Sequence, residues 1–190
     1  VSAGEWANAS PKVRAEAARV ELGEGRLVWW CAHVLSGEVT VTETGNNDPD
    51  PRWLAASAWS SWGPAESWPS RGIDYWPRVW AARTLLYVWH DDVSRAVVKG
   101  LADSHWRVRE MCAKVVALHE IGEGAEECAR IVFTDAKPRV RIAALRALAV
   151  VGESEHSDSV IAAESASCDS VAGQARETLR VMGERLDRDL

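Results

Sequence analysis

Asp135-Ala136-Lys137-Pro138-Arg139-Val140-Arg141-Ile142-Ala143-Ala144-Leu145-Arg146-Ala147-Leu148-Ala149-Val150-Val151-Gly152 is the stretch whose reading decides the fold. Counting from Val140, apolar residues return at Ala143, Ala144, Leu148 and Val151, in steps of three and four that trace one face of an α-helix. Pro138 stands two places before Val140, where a first helical turn has no use for the missing N–H. Ala143 and Ala144 are small enough to let a neighbouring helix approach closely. Gly152 follows the last apolar position and predicts a helix end through a left-handed cap.

The opening of this stretch recurs. Asp74-Tyr75-Trp76-Pro77-Arg78-Val79 and Asp103-Ser104-His105-Trp106-Arg107-Val108 repeat the order Asp, three variable positions ending in Pro or Trp, Arg, Val. Asn8-Ala9-Ser10-Pro11-Lys12-Val13 and Asp48-Pro49-Asp50-Pro51-Arg52-Trp53 are looser copies, and a degenerate one ends at Val171. The anchors 13, 53, 79, 108, 140 and 171 are spaced by 40, 26, 29, 32 and 31 residues. After Val171, Ala175, Leu179, Met182 and Gly183 match the residues that follow Val140. Between anchors lie shorter apolar segments, Asp92–Leu101, Ala125–Phe133 and Ser159–Ser165. Each copy therefore predicts helix, turn, helix in about 30 residues, a unit that buries its apolar face only by stacking on its neighbours.

On Asp103, Val108 and Arg109, and on Asp135, Val140, Arg141, Ala143, Ala144, Leu148 and Gly152, the chain resembles the HEAT-repeat family, above all the short HEAT-like repeats of phycobilisome lyases. The resemblance is close over residues 74–186 and loose over 8–63. It implies an all-α fold: a right-handed α-α solenoid of about six helical hairpins forming one domain over residues 1–190. It also implies a structural ladder between adjacent repeats, in which Asp74, Asp103 and Asp135 accept hydrogen bonds from backbone donors or from Arg109 and Arg141. Function is not implied, because the family holds scaffolds, enzyme subunits and a few enzymes.

Three places depart from the rhythm. Residues 36–50 are rich in turn formers and β-branched side chains and predict an inserted loop or short hairpin. The last copy has Ala166 for Asp and Ser170 for Arg, as suits a terminal repeat. Residues 184–190 form a charged C-terminal cap.

Composition narrows the classes. With 47% hydrophobic and 26% charged residues the sequence is globular, and a net charge of −6 disfavours a dedicated nucleic-acid binder. No apolar run nears the ~20 residues of a membrane span. Glu5, Lys12, Arg14 and Glu16 interrupt the N-terminus where a secretory signal would be apolar, so a cytoplasmic protein is expected. Cys31, Cys112, Cys128 and Cys168 are widely separated and read as small buried residues. With 18 arginines, 4 lysines and abundant alanine, the usage suggests a GC-rich, bacterial genome.

Two residue types stand out as contact groups. All 11 tryptophans lie at or before Trp106, and seven fall between Trp53 and Trp89. Tryptophan and arginine dominate binding hot spots. Trp53, Trp80 and Trp106, with Arg83 and the arginines before each anchor (Arg52, Arg78, Arg107 and Arg139), are the expected concave-face contacts for a protein or peptide partner. Acids are sparse over Trp106–Lys114 and Lys137–Arg146 and dense over Glu120–Glu127 and Glu153–Asp158, which predicts one basic and one acidic edge.

Catalytic signatures are missing from the sequence. It has no Gly-rich phosphate loop and no Gly-x-Ser-x-Gly elbow, and its five histidines share no ligand spacing. His119-Glu120 is a single pair where a di-iron centre needs several, and His90-Asp91-Asp92 reads as helix capping. No metal, cofactor or catalytic residue is expected. The expectation is a non-catalytic scaffold. The alternative is a nucleic-acid enzyme similar to the HEAT-like alkylpurine DNA glycosylases, with Trp80, Arg83, Asp91 and Trp106 arranged on the concave face.

Overall fold

The computed structural model describes residues 3–41 and 48–188. Their regular structure is entirely helical, eleven α-helices with short 3-10 turns and no strand. The chain divides into two compact units, Val1–Ala96 and Val97–Leu190.

The first unit holds α1 (Pro11–Leu22), α2 (Glu24–Ser36), two four-residue helices, α3 (Arg52–Ala55) and α4 (Ala58–Ser61), and α5 (Trp76–Thr84). Pro11 opens α1 as the repeat predicts, and the Ser10 side chain accepts from the Val13 N–H at 3.4 Å. Helix α2 ends at Gly37, whose left-handed backbone (φ 78°) directs its N–H to the His33 and Val34 carbonyls of the last turn. Helices α1, α2 and α3 all pack on α5 around Leu27, Trp30, Val34, Leu54, Val79 and Leu85.

The copy anchored at Trp53 departs from the repeat. Its helix stops after one turn at Ala56 (φ 55°), and the Ser57 N–H turns away to the Ala7 carbonyl. Gly63, Pro64, Pro69 and Gly72 then break the chain into 3-10 turns at Ala65–Ser67 and Pro69–Arg71. Residues 42–47, the middle of the predicted insertion, lie outside the described residues. On its near side Val41 is buried, and on its far side Asp50 grips Arg52 with both carboxylate oxygens at 2.5–3.0 Å.

Helix α6 (Ser94–Gly100) carries the chain into the second unit. There follow α7 (Trp106–His119), α8 (Ala125–Thr134), α9 (Pro138–Val151), α10 (Ser157–Glu164) and α11 (Asp169–Leu186). Helices α7, α9 and α11 lie side by side, α9 touching both others. Helices α8 and α10 form a second row, α8 against α9 and α10 against α11. The anchors Val108, Val140 and Val171 are each fully buried in the first turn of a helix of the first row. A buried bond from Thr178 Oγ1 to the Leu145 carbonyl, 3.0 Å, ties α11 to α9.

The glycines end these helices differently from the prediction. Gly152 is extended (φ −70°, ψ 139°), not left-handed. It is required by space, because a Cβ there would lie 2.5 Å from the Leu148 carbonyl oxygen and 3.1 Å from Met182 Cε. Gly183 does not end α11, which runs on to Leu186. Glu120 and Asp187, not glycines, adopt the left-handed cap after α7 and α11. The charged tail bonds back to the turn after α9: Arg185 donates to the Gly152 carbonyl and Arg188 Nη1 to Ser154 Oγ.

Candidate functional site

The arginines just after the anchors sit near helix N-termini, where a cation is disfavoured, and all are held by oxygen acceptors. Arg109 Nε donates to Asp135 Oδ2 at 2.6 Å, and its Nη1 donates to the Asp103 and Ser104 carbonyls at 2.8 and 3.1 Å. The other oxygen of Asp135 accepts from the Lys137 N–H at 2.8 Å, as Asp103 accepts from the His105 N–H at 2.7 Å. Arg141 finds no aspartate in the next copy, where Ala166 stands, and donates instead to the Val132 carbonyl in the last turn of α8 at 2.7 Å. Arg14 donates to the Ala9, Trp53 and Leu54 carbonyls. Burial foremost, and then the charge of Arg83, hold its guanidinium below the usual arginine range. These residues join segments of chain and are not offered to a ligand. Asp74 lies apart from the pattern, exposed beside a cleft that Arg78 also lines.

Among the residues before the anchors, Arg107 and Arg139 converge with Trp106. The Arg107 guanidinium lies 4.5 Å from the Trp106 ring centroid and that of Arg139 6.0 Å from it. Beside them an open groove of about 470 Å³ runs between α7 and α9. Glu110 stands in its wall, its side chain only 10% exposed, with Lys114 Nζ at 2.8 Å and Arg139 Nη2 at 3.5 Å. Glu110 thereby fixes Lys114 and draws in Arg139, whose side chain is 70% exposed. Further along, Ala117, Leu118 and Ile142 make an apolar stretch, and Arg146 reaches Gln174 of α11 at 3.0 Å. Three cations, Lys114, Arg139 and Arg146, thus line the groove with one acid, Glu110, and Arg107 lies over the adjacent Trp106 ring, in a chain whose net charge is −6.

Of this set, Trp106, Arg107 and Arg139 are sequence-predicted contacts. Lys114, Leu118, Ile142 and Arg146 are not, although their signal is in the sequence. Arg107, Glu110, Lys114 and Leu118 follow one another by three or four residues, as do Arg139, Ile142 and Arg146, and each set is one helical stripe beside the buried one.

The predicted contacts in the first unit are differently placed. Trp53 and Trp80 are buried, at 3% and 7% exposure, so neither is a surface contact. Trp80 belongs to an aromatic cluster with Trp59, Trp62, Trp68 and Trp76, whose successive ring centroids lie 5.4–6.1 Å apart. Four of these contacts are edge to face and Trp76 stacks on Trp80, around the buried Trp68 and Trp80, where the shortened α3 and α4 offer little helix to pack. Trp59 and Trp62, three residues apart, both pack on Trp68, at 5.7 and 6.1 Å. Arg52 is engaged by Asp50. Asp91 accepts from Trp89 Nε1 at 2.9 Å. With Trp80 in the core, the base-stacking arrangement of Trp80, Arg83, Asp91 and Trp106 loses its first member.

Histidines cap helices here. Nδ1 of His105 faces the Arg107 N–H at 3.3 Å, and Nδ1 of His90 faces the Asp92 N–H at 3.4 Å. Burial pushes the Cys31 and Cys112 thiols far up and that of Cys128 to about 12. Cys168, part-exposed at the start of α11, is shifted down by hydrogen bonds from the Ser170 side chain and the Val171 N–H. Among the described residues no three His, Cys, Asp or Glu side chains converge as a metal set, and no helix is long and apolar enough to cross a membrane. No protein-family model, no curated protein and no solved structure matches this chain.

Proposed function

We propose that this chain is a short right-handed array of HEAT-like helical hairpins that works without catalysis, as a cytoplasmic scaffold or adaptor gripping a protein or peptide partner along the α7/α9 face. The observation that carries this reading is the groove at Glu110. It gathers three cations and an exposed apolar stretch between two adjacent helices, with Trp106 and Arg107 beside it through Arg139. Trp and Arg at the centre of such a face are the usual anchors of a protein interface. The two-row packing of α7 to α11 and the Arg109–Asp135 link between successive copies support the repeat architecture.

The test compares partner capture by the parent chain, by a Trp106→Ala/Arg139→Gln groove variant and by a Phe133→Ser variant altered on α8. Loss of the partner from the groove variant alone is expected, with helical circular dichroism unchanged in all three. A partner kept by the groove variant but lost by Phe133→Ser places the contact elsewhere and overturns the proposal. Steeply salt-dependent retention of DNA with release of damaged bases would establish the glycosylase-like alternative instead.

A further inference from the structure

We infer that the α7/α9 groove selects a short acidic peptide segment that also carries an apolar side chain; this deepens the peptide-binding reading above and rests on it. The groove is bipartite. At one end Arg107 and Arg139 present cations at the Trp106 ring, and Lys114 stands in the wall bonded to Glu110. At the other, Leu118, which is 56% exposed, and Ile142 give an apolar surface bordered by Arg146. From Arg107 to Leu118 a helix rises about 16 Å, which an extended peptide covers with about five residues.

Charge decides the occupant. A basic or neutral segment gains nothing at the cationic end and leaves Arg139 facing water. A continuous polyanion meets the Glu110 carboxylate in the wall and sets charge against the apolar Leu118 and Ile142 side chains. A segment with carboxylates at one end and a leucine-like side chain at the other satisfies both halves. Glu110 prepares the site: by holding Lys114 and Arg139 in place before binding, it lowers the ordering cost of the two side chains.

The test is fluorescence anisotropy on the full chain with four probes: a short labelled peptide of alternating glutamate and leucine, its glutamine-for-glutamate and serine-for-leucine counterparts, and a short oligothymidylate. The glutamate–leucine peptide is expected to bind most tightly, and each counterpart about tenfold more weakly. An Arg139→Gln/Arg146→Gln variant, altered at exposed side chains and checked by circular dichroism, is expected to weaken the glutamate–leucine peptide about tenfold and to leave the glutamine peptide unchanged. Equal binding of the glutamate and glutamine peptides overturns the acidic selection while leaving peptide binding intact. Binding of the oligonucleotide with no peptide bound overturns both. Absence of binding by all four probes at low salt overturns the inference, and partner capture then decides the broader reading separately.

Discussion

Arg109 and Asp135, 26 positions apart in sequence, meet through a 2.6 Å bond from Nε to Oδ2, with side chains 18% and 3% exposed. The aspartate also receives the Lys137 N–H, so one carboxylate fixes the turn before α9 and links it to α7. Replacing Asp135 with alanine strands a largely buried guanidinium and a backbone donor. The expected loss is about 3 kcal/mol, a fall in Tm of roughly 6–12 °C, read by thermal denaturation. An unchanged Tm would show that the link is incidental.

Trp53 and Trp80 separate from Trp106 in their consequences. Each of the first two fills core space, so Trp53→Ala or Trp80→Ala should cost about 3–5 kcal/mol and broaden or abolish the unfolding transition. Trp106→Ala should leave the transition within about 1 kcal/mol and act on partner binding. Circular dichroism melts of the three variants check this, and a native-like melt for Trp80→Ala would refute the core assignment.

Two glycines respond oppositely to alanine. At Gly152 the new methyl meets the Leu148 carbonyl oxygen at 2.5 Å, a backbone atom that cannot yield, and destabilisation is expected. At Gly173, inside α11, an added Cβ would meet only Arg176 Nη2, the end of a flexible side chain of the same helix, at 3.9 Å. There alanine removes only the backbone-entropy cost of glycine and should stabilise by about 0.5–1 kcal/mol. Chemical denaturation of Gly152→Ala and Gly173→Ala should move the midpoints in opposite directions.

The four thiols divide one against three. Cys168 should react with a disulfide reagent in the native protein, while Cys31, Cys112 and Cys128 should react only on unfolding. Because its thiolate is favoured by Ser170 and Val171, Cys168 should begin to react at a lower pH than free cysteine, and Ser170→Ala should move that onset upward. Titration of four thiols in the native state would contradict the burial of the other three.

The helices of the second unit were legible because their apolar residues recur every three or four positions from Val108, Val140 and Val171. The same periodicity misled around Trp53. There the anchor pattern is present, but the left-handed Ala56 and the Gly and Pro residues from 63 to 72 cut the helix short. Tryptophan count signalled importance without location, since an indole suits a core as well as an interface. Packing between α7 and α9 decides which side is open: it leaves the stripe of Arg107, Glu110, Lys114 and Leu118 bordering a groove. Gly152 was legible as necessary but not for its reason, because the clash with Leu148 arises from backbone approach and not from a left-handed turn.

The most direct test of the groove as the partner contact is photo-crosslinking with benzoylphenylalanine in place of Leu118 or, separately, Phe133. Phe133 is the more exposed of the two, 74% against 56%, so exposure alone would favour it. The groove account predicts that the partner crosslinks from position 118 and not from 133. Crosslinking from 133 with none from 118 would contradict it.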